Sequence, residues 1–412
     1  MEKSARRVYL DYAASTPLRE EVKVAMEPYW SEHYGNAGAM HAEGMHARRA
    51  LALARESVAN VLRAHPDEVI FTSGGTESNA LALLGVIGAY EREHHYDVSG
   101  LHIVTTVIEH PSVLQGFRDL EERGARVDYL GTDNRGFVDR AQAKHAITGT
   151  TTLVSVMYVN NEIGTVEPIA DIAKTVRHAR KGADKGGSGT ILNSPFFHTD
   201  ASQAPLYLPL AVDALGVDLL TIDGQKIYGP KGIGALYVRR GTPIQGIFRG
   251  GKQERSLRPG TEPIPLIVGL AKALELADKE REETCARLTK LRDYFIDEVL
   301  RVIPSAELNG DREKRLPNNV NTSLPGFDNE FLIIALDERG VACASRSACI
   351  VGPDGSYVIK ALGKDSERAI SSVRFSLGKD TTKDDIDHAL RALVEVTKNT
   401  EANKSFVRHA VC

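Results

Sequence analysis

Short apolar, β-branched runs alternate with amphipathic segments through most of this chain, and that alternation limits its fold more than any other feature. Residues 68–72 (EVIFT), 102–107, 126–130, 151–159, 196–199, 217–222 and 233–238 read as strands, and 44–63, 80–90, 112–123 and 169–180 as helices. Strands separated by helices in this way form a mostly parallel sheet covered on both faces, an α/β fold. Such sheets bind ligands at the carboxyl ends of their strands. The residues just beyond those ends are polar: Thr76, Glu109-His110, Asn160-Asn161-Glu162, Asp200 and Lys226. After Thr261 the pattern changes. Residues 266–300 read as one or two long helices, 318–324 and 342–347 as extended, 331–337 as helix and 384–397 as a last amphipathic helix. The C-terminal third is therefore expected to form a smaller α+β domain, joined by the first apolar segment at Val8.

At about 150 residues per domain, 412 residues suffice for more than one. A net charge of −4 gives no reason to expect nucleic acid or an anionic membrane surface as partner. No apolar stretch approaches the ~20 residues of a membrane-spanning helix. No long apolar run follows the two arginines of MEKSARRVYLDYAAS, so no leader peptide is expected. Cys285, Cys343, Cys349 and Cys412 form no Cys-x-x-Cys pair, so no metal site is expected, and scattered thiols fit a reducing cytoplasm.

The chemistry begins with Lys226. It lies on a glycine-flanked turn, Asp223-Gly224-Gln225-Lys226, between two apolar strands. On such a turn a lysine is ordinarily solvated, because its ammonium is costly to desolvate. A desolvated lysine has a depressed pKa and can form a Schiff base. Ser73-Gly74-Gly75-Thr76-Glu77-Ser78-Asn79 joins a strand to a helix, where backbone N–H groups and the helix dipole favour an anion. Taken alone, that turn also fits a simple helix cap, as does Asp200. Asp200 follows an aromatic strand, with Gln203 three residues on. A buried carboxylate opposite a pyridine nitrogen keeps that nitrogen protonated and makes the ring an electron sink, the task of pyridoxal 5′-phosphate. A lysine for the aldehyde, an aspartate for the pyridinium and a Gly/Thr turn for the phosphate are the minimum set for that cofactor.

The stretches VYLDYAASTP, EVIFTSGGTESNALAL, IEHPSV, VNNEIGTVEPI, HTDASQA, DGQKIYGPKGIGALYVRR, GGKQERSLRPGT, SRSAC and SVRFSLGKDTT run in this order from Val8 to the last helix. In them the chain resembles the group I cysteine desulfurases, fold-type I pyridoxal-phosphate enzymes of the aminotransferase class V superfamily. The resemblance implies a large cofactor-binding domain over residues 16–282, built on a mostly parallel seven-stranded sheet. Residues 1–15 and 283–412 would then form a small domain carrying a catalytic cysteine loop. It implies that Lys226 bonds the cofactor aldehyde, Asp200 the pyridinium, Gln203 the ring hydroxyl and that His110 stacks on the ring and aids proton transfer. Gly75 and Thr76 would hold the phosphate together with the 223 and 225 positions, and Thr261 would reach it from the partner of a homodimer. Asn160 and Arg374 would bind the α-carboxylate of L-cysteine. Cys349 would take the sulfur as a persulfide, release L-alanine and serve an acceptor protein in iron–sulfur cluster assembly or tRNA thiolation.

The residues around Cys349 agree with that role: Ser345–Gly355 is small and polar, suited to a loop that carries a thiolate, and Arg346 can lower a thiol pKa. Cys343, in an apolar run, reads instead as a structural thiol. The chain departs from the family at Asp223 and Gln225, where Ser and His are usual, and residues 181–189 read as an inserted loop. An ionised Asp223 at ~4 Å from a phosphate charge would be repelled by about 4 kcal/mol at an effective dielectric near 20. It is therefore expected to turn toward a cation (Lys231, Arg255 or Arg258) or backbone donors, or to be protonated, leaving Gln225 to donate to the phosphate. Two other activities fit the same residues: a selenocysteine lyase or related lyase on this scaffold, and a non-catalytic sulfur-relay protein.

Overall fold

The computed structural model describes residues 6–183, 195–346, 355–363 and 365–409. Its strands are β1 (Val8–Tyr9), β2 (Val69–Thr72), β3 (His102–Thr106), β4 (Arg126–Leu130), β5 (Leu153–Ser155), β6 (Phe196–Asp200), β7 (Leu219–Asp223), β8 (Gly234–Val238), β9 (Glu307–Leu308), β10 (Asn319–Ser323), β11 (Val341–Ala342) and β12 (Ser372–Ser376). Seven of them make one sheet in the order β2-β8-β7-β6-β5-β3-β4. The run from β7 to β4 is parallel, because each connection there is long enough to cross over the sheet. Only the short stretch 224–233 separates β7 from β8, so these two strands must return antiparallel, and β2 pairs antiparallel with β8. All residues of β2, β3, β5, β6, β7 and β8 are buried, as expected for a sheet covered on both faces. Each fully buried side chain such as Phe197 or Ile222 contributes about 1.5–3 kcal/mol.

The carboxyl ends of β6 and β7 and the head of the Gly75–Glu93 helix meet at one edge. That helix starts five residues before the expected Ala80. Gly74, at φ 147°, turns the chain in a conformation only glycine adopts readily, so the polar residues from Thr76 to Asn79 already belong to the first helical turns. The expected 151–159 strand is regular only over Leu153–Ser155; beyond it Val156 N and Tyr158 N still donate to His198 O and Asp200 O. The 169–180 helix extends to Ala183, so the expected loop at 181–189 is helical at its start, and its remainder lies outside the described residues.

In the C-terminal third, β12-β10-β9 form an antiparallel sheet and β1 pairs in parallel with β11. One 39-residue helix, Ile264–Val302, runs through the expected domain boundary at 282/283 without a break. At 1.5 Å per residue it spans about 58 Å.

Candidate active site

A cavity of about 260 Å³ opens at the carboxyl ends of β6 and β7. Of the residues expected to form a site, Gly75, Thr76, His110, Asp200, Gln203, Asp223, Gln225, Lys226 and Arg374 line it, with Ala13, Ala14, Asn79, Asn161 and Ser202.

Lys226 ends the short turn after β7, and its Nζ donates to Ala13 O (2.9 Å) and Ala14 O (2.6 Å). Burial lowers its pKa, while Asp223 pulls the other way. The amine is thereby closer to its neutral, nucleophilic form. Asp200 closes β6. Its Oδ1 accepts from Ser202 N (2.9 Å) and its Oδ2 from Asn79 Nδ2 (2.8 Å). Asn79 also donates to Ser112 Oγ (2.9 Å), which lies 2.8 Å from His110 Nδ1. Because Nδ1 also accepts from Ser112 N, the neutral ring carries its proton on Nε2. Burial lowers the His110 pKa and keeps the ring neutral. Asn79 thus ties the carboxylate to the imidazole. It was not among the expected residues, although its place three positions after Thr76 puts both on one helix face. Its Oδ1 is buried with no partner among the described residues.

Arg374, in the middle of β12, donates to Asp11 Oδ1 (2.8 Å) and Asn161 O (3.0 Å), and its Nε has no partner among the described residues. Gln203 Nε2 donates to Ala13 O (2.9 Å).

Two expected residues lie elsewhere. Asn160 is 0% exposed; its Oδ1 accepts from Glu162 N and Ile163 N and its Nδ2 donates to Ile108 O. That side chain closes the turn and is not available to a ligand, and the adjacent Asn161 lines the cavity instead. Thr261 is exposed and outside the cavity lining. Cys349 and Cys412 lie outside the described residues. The chain leading to Cys349 is described to Arg346, whose Nη1 donates to Gly355 O (3.4 Å), and Ala344 pairs with Arg374. Cys343 is buried, and burial pushes its thiol up to about 12, as suits a structural thiol.

Asp223 behaves as its chemistry demands. Its carboxylate accepts from Gln225 N (3.2 Å) and Gln225 Nε2 (3.1 Å), while Arg258 pairs with Glu77 (3.0 Å). Asp223 thus gains one backbone donor, Gln225 N, but does not turn away from the phosphate end: it lines the cavity, with its Oδ2 3.2 Å from the Cβ position of Gly75. The expected amide of Gln225, however, is spent on Asp223.

Glu109, named with His110 among the polar residues at the strand ends, is a further buried carboxyl and does not line the cavity. Glu109 is 0% exposed, accepts from Thr106 Oγ1 and Met157 N at 2.8 Å each, and is pushed up by burial to about 8. A wider cleft, about 710 Å³, lies between residues 132–140 and 313–315. It brings no amine, imidazole and carboxylate together, so its size does not make it the site. Among the described residues there is no cluster of potential metal ligands, and no helix is long and apolar enough to cross a membrane.

The chain matches the aminotransferase class-V family over residues 8–389. It is 44% identical over 392 residues to the cysteine desulfurase IscS of Dictyoglomus turgidum, covering 95% of this chain and 94% of that one. The chain belongs to the aminotransferase class-V family, among its cysteine desulfurases. Solved structures of the same group agree. A NifS-like protein superposes with a TM-score of 0.86 at 32% identity, over 95% of this chain and 99% of that one. SspA in complex with cysteine does so with 0.75 at 34%, over 91% and 99%. Class-V cysteine desulfurases are pyridoxal-phosphate enzymes, and the cavity fits that group. It offers a desolvated amine for the aldehyde, a clamped carboxylate for the ring nitrogen and a helix head for the phosphate. A Cβ at Gly75 would come within 3.0 Å of Ser202 Oγ and 3.2 Å of Asp223, so the space at that head exists only because residue 75 is glycine.

Proposed function

We propose that this protein is a pyridoxal 5′-phosphate-dependent cysteine desulfurase that converts L-cysteine to L-alanine and leaves the sulfur as a persulfide on Cys349. The observation that carries the reading is the convergence of Lys226, Asp200, His110 and Arg374 on one cavity. When bound, the cofactor supplies an electron sink next to the substrate α-carbon. Lys226 would hold its aldehyde, Asp200 its ring nitrogen and Gln203 its ring hydroxyl. His110 would stack on the ring, and its Nε2, the nitrogen not engaged by Ser112, is the one left to handle protons. Gly75 and Thr76 would receive the phosphate. Gln225 can help only by releasing Asp223, and Thr261 would act on the neighbouring subunit of a homodimer.

Arg374 binds the α-carboxylate as a planar fork whose aim is fixed by Asp11. Asn161 takes the part expected of Asn160. The Cys349 thiolate then attacks the substrate sulfur. The carbon–sulfur bond breaks with its electron pair left on the carbon side, an S–S bond forms on Cys349, and the β-carbon takes up a proton, so the amino acid leaves with CH₃ in place of CH₂–SH. Residues 1–15 group with the C-terminal domain in this reading, because β1 pairs with β11. The acceptor is a sulfur-receiving protein of iron–sulfur assembly or tRNA thiolation in the cytoplasm. The test is to incubate the protein with pyridoxal 5′-phosphate and L-cysteine and measure alanine and protein-bound persulfide. Equimolar alanine and sulfur support the reading; no alanine overturns it.

A further inference from the structure

The cavity holds a carboxylate where its fold prepares an anion seat. The Asp223 carboxylate stands 3.2 Å from the Cβ position of Gly75, the first residue of the Gly75–Glu93 helix, and 3.9 Å from that of Gly74. Backbone N–H groups at such a helix head have no partner within the helix and favour negative charge. Asp223 is 7% exposed and is clamped by both the backbone N–H and the side-chain amide of Gln225. It therefore places a carboxylate beside the seat that a phosphate would take at the helix head.

The groups facing it do not relieve a second negative charge. Lys226, from its own turn, is the cation that acts on it, and that amine is the group assigned to the cofactor aldehyde. Asp200, from β6, is a like charge. His110, from the head of the Pro111–Glu122 helix, is held neutral by burial. From the Gly75–Glu93 helix the nearest charge is Glu77, which is bound by Arg258 and Ser73 N. β8 offers only Gly234 opposite Asp223.

We propose that cofactor binding in this protein is coupled to proton uptake at Asp223: the phosphate ester seats at the head of the Gly75–Glu93 helix as the Asp223 carboxyl becomes neutral. This rests on the cofactor reading above. Protonation turns an acceptor into a group with one O–H donor, so Asp223 can then face the phosphate, and Gln225 Nε2 is released to donate to it. Burial already raises the Asp223 pKa, and a neighbouring dianion raises it further. The sign follows. Above about pH 7 a phosphate monoester is fully ionised. In that range the bound form carries one more proton than the free form, so affinity falls as pH rises.

The probe is pyridoxine 5′-phosphate, which has the ring and phosphate but no aldehyde to react with Lys226. Its Kd is measured from pH 7 to 9 by calorimetry in two buffers of different ionisation enthalpy, for the wild type, Asp223→Asn and Asp223→Ser. The wild type is expected to weaken by up to about tenfold per pH unit relative to the variants, the slope of one linked proton. It should take up close to one proton more than they do, and at pH 8.5 both variants should bind more tightly. Equal proton uptake and parallel pH profiles overturn the linkage. In that case pyridoxal 5′-phosphate added to the wild type separates the two claims. If it still gives the absorbance of a lysine-bound cofactor, the cofactor reading stands and only the linkage fails. If neither compound binds, the cofactor reading fails as well.

Discussion

The two ends of the cavity obey the same physics with opposite consequences. At the lysine end, burial lowers the Lys226 pKa and the His110 pKa, and both shifts favour the neutral forms that chemistry there requires. The side chains at that end hold one another: Asn79 spans Asp200 and Ser112, Ser112 fixes His110, and Asp11 fixes Arg374. At the helix head, the same burial raises Asp223, a group whose ionised form opposes the anion the fold is shaped to receive. One low-dielectric cavity thus prepares a nucleophile at one end and a proton-dependent anion seat at the other. The lesson is that a departure of one residue can leave the chemistry of a site intact and change the conditions under which it fills.

The sharpest break between the two ends comes from Lys226→Ala. It should abolish alanine formation, while pyridoxine 5′-phosphate still binds, because the phosphate and ring contacts remain. Loss of both would mean that Lys226 chiefly holds the cavity open. Next in size is Arg374→Lys. A single ammonium cannot keep both Asp11 and Asn161 O while receiving a carboxylate. Losing charge-assisted hydrogen bonds worth about 1.5–3 kcal/mol should raise KM for L-cysteine roughly 10- to 150-fold, with cofactor affinity little changed. An equal loss of both would assign Arg374 to the fold instead. Asn79→Ala should be milder. It leaves Asp200 and Ser112 each short of one donor, a cost of about 1–3 kcal/mol, and should weaken cofactor binding and shift the acid limb of the kcat profile, which reports His110.

The smallest effect is on stability. Glu109 and Glu167 are each raised by burial from an ordinary 4.5 to about 8. Between those values the folded state holds more protons than the unfolded one, so their contribution falls as pH rises from about 4.5 to about 8. His198 is lowered by burial from 6.5 to about 4, so its neutral form is favoured above pH 6.5 and stability is lost as pH falls from there toward 4. Glu167→Gln should reduce the fall of Tm between about pH 4.5 and about 8. A Tm profile unchanged over that range would show that Glu167 is not held protonated in the folded state.

Much of this was legible in the sequence, for physical reasons that differ from residue to residue. The sheet was legible because buried strands are apolar and β-branched; the antiparallel return of β8 was not read, although the connection after β7 is too short for a crossover helix. The cavity residues were legible because polar groups sit directly after those strands. Asn160 and Asn161 were not separable. Two adjacent asparagines have the same chemistry, and only the turn geometry decides that one accepts from Glu162 N while the other lines the cavity. Asn79 was missed because the helix was expected to begin after it. The bond between Asp223 and Gln225 was half legible: charge required Asp223 to find donors, but nothing in the residue order required Gln225 to be the one that supplies them.

The most direct test of the account is the fate of the substrate sulfur. Protein loaded with pyridoxal 5′-phosphate is given L-cysteine in one turnover, and its peptides are analysed by mass spectrometry beside Cys349→Ala and Cys343→Ala. The account predicts one added sulfur on the Cys349 peptide, none in Cys349→Ala, and an unchanged result in Cys343→Ala. Alanine formed with the sulfur on Cys343, or on no cysteine at all, would contradict it.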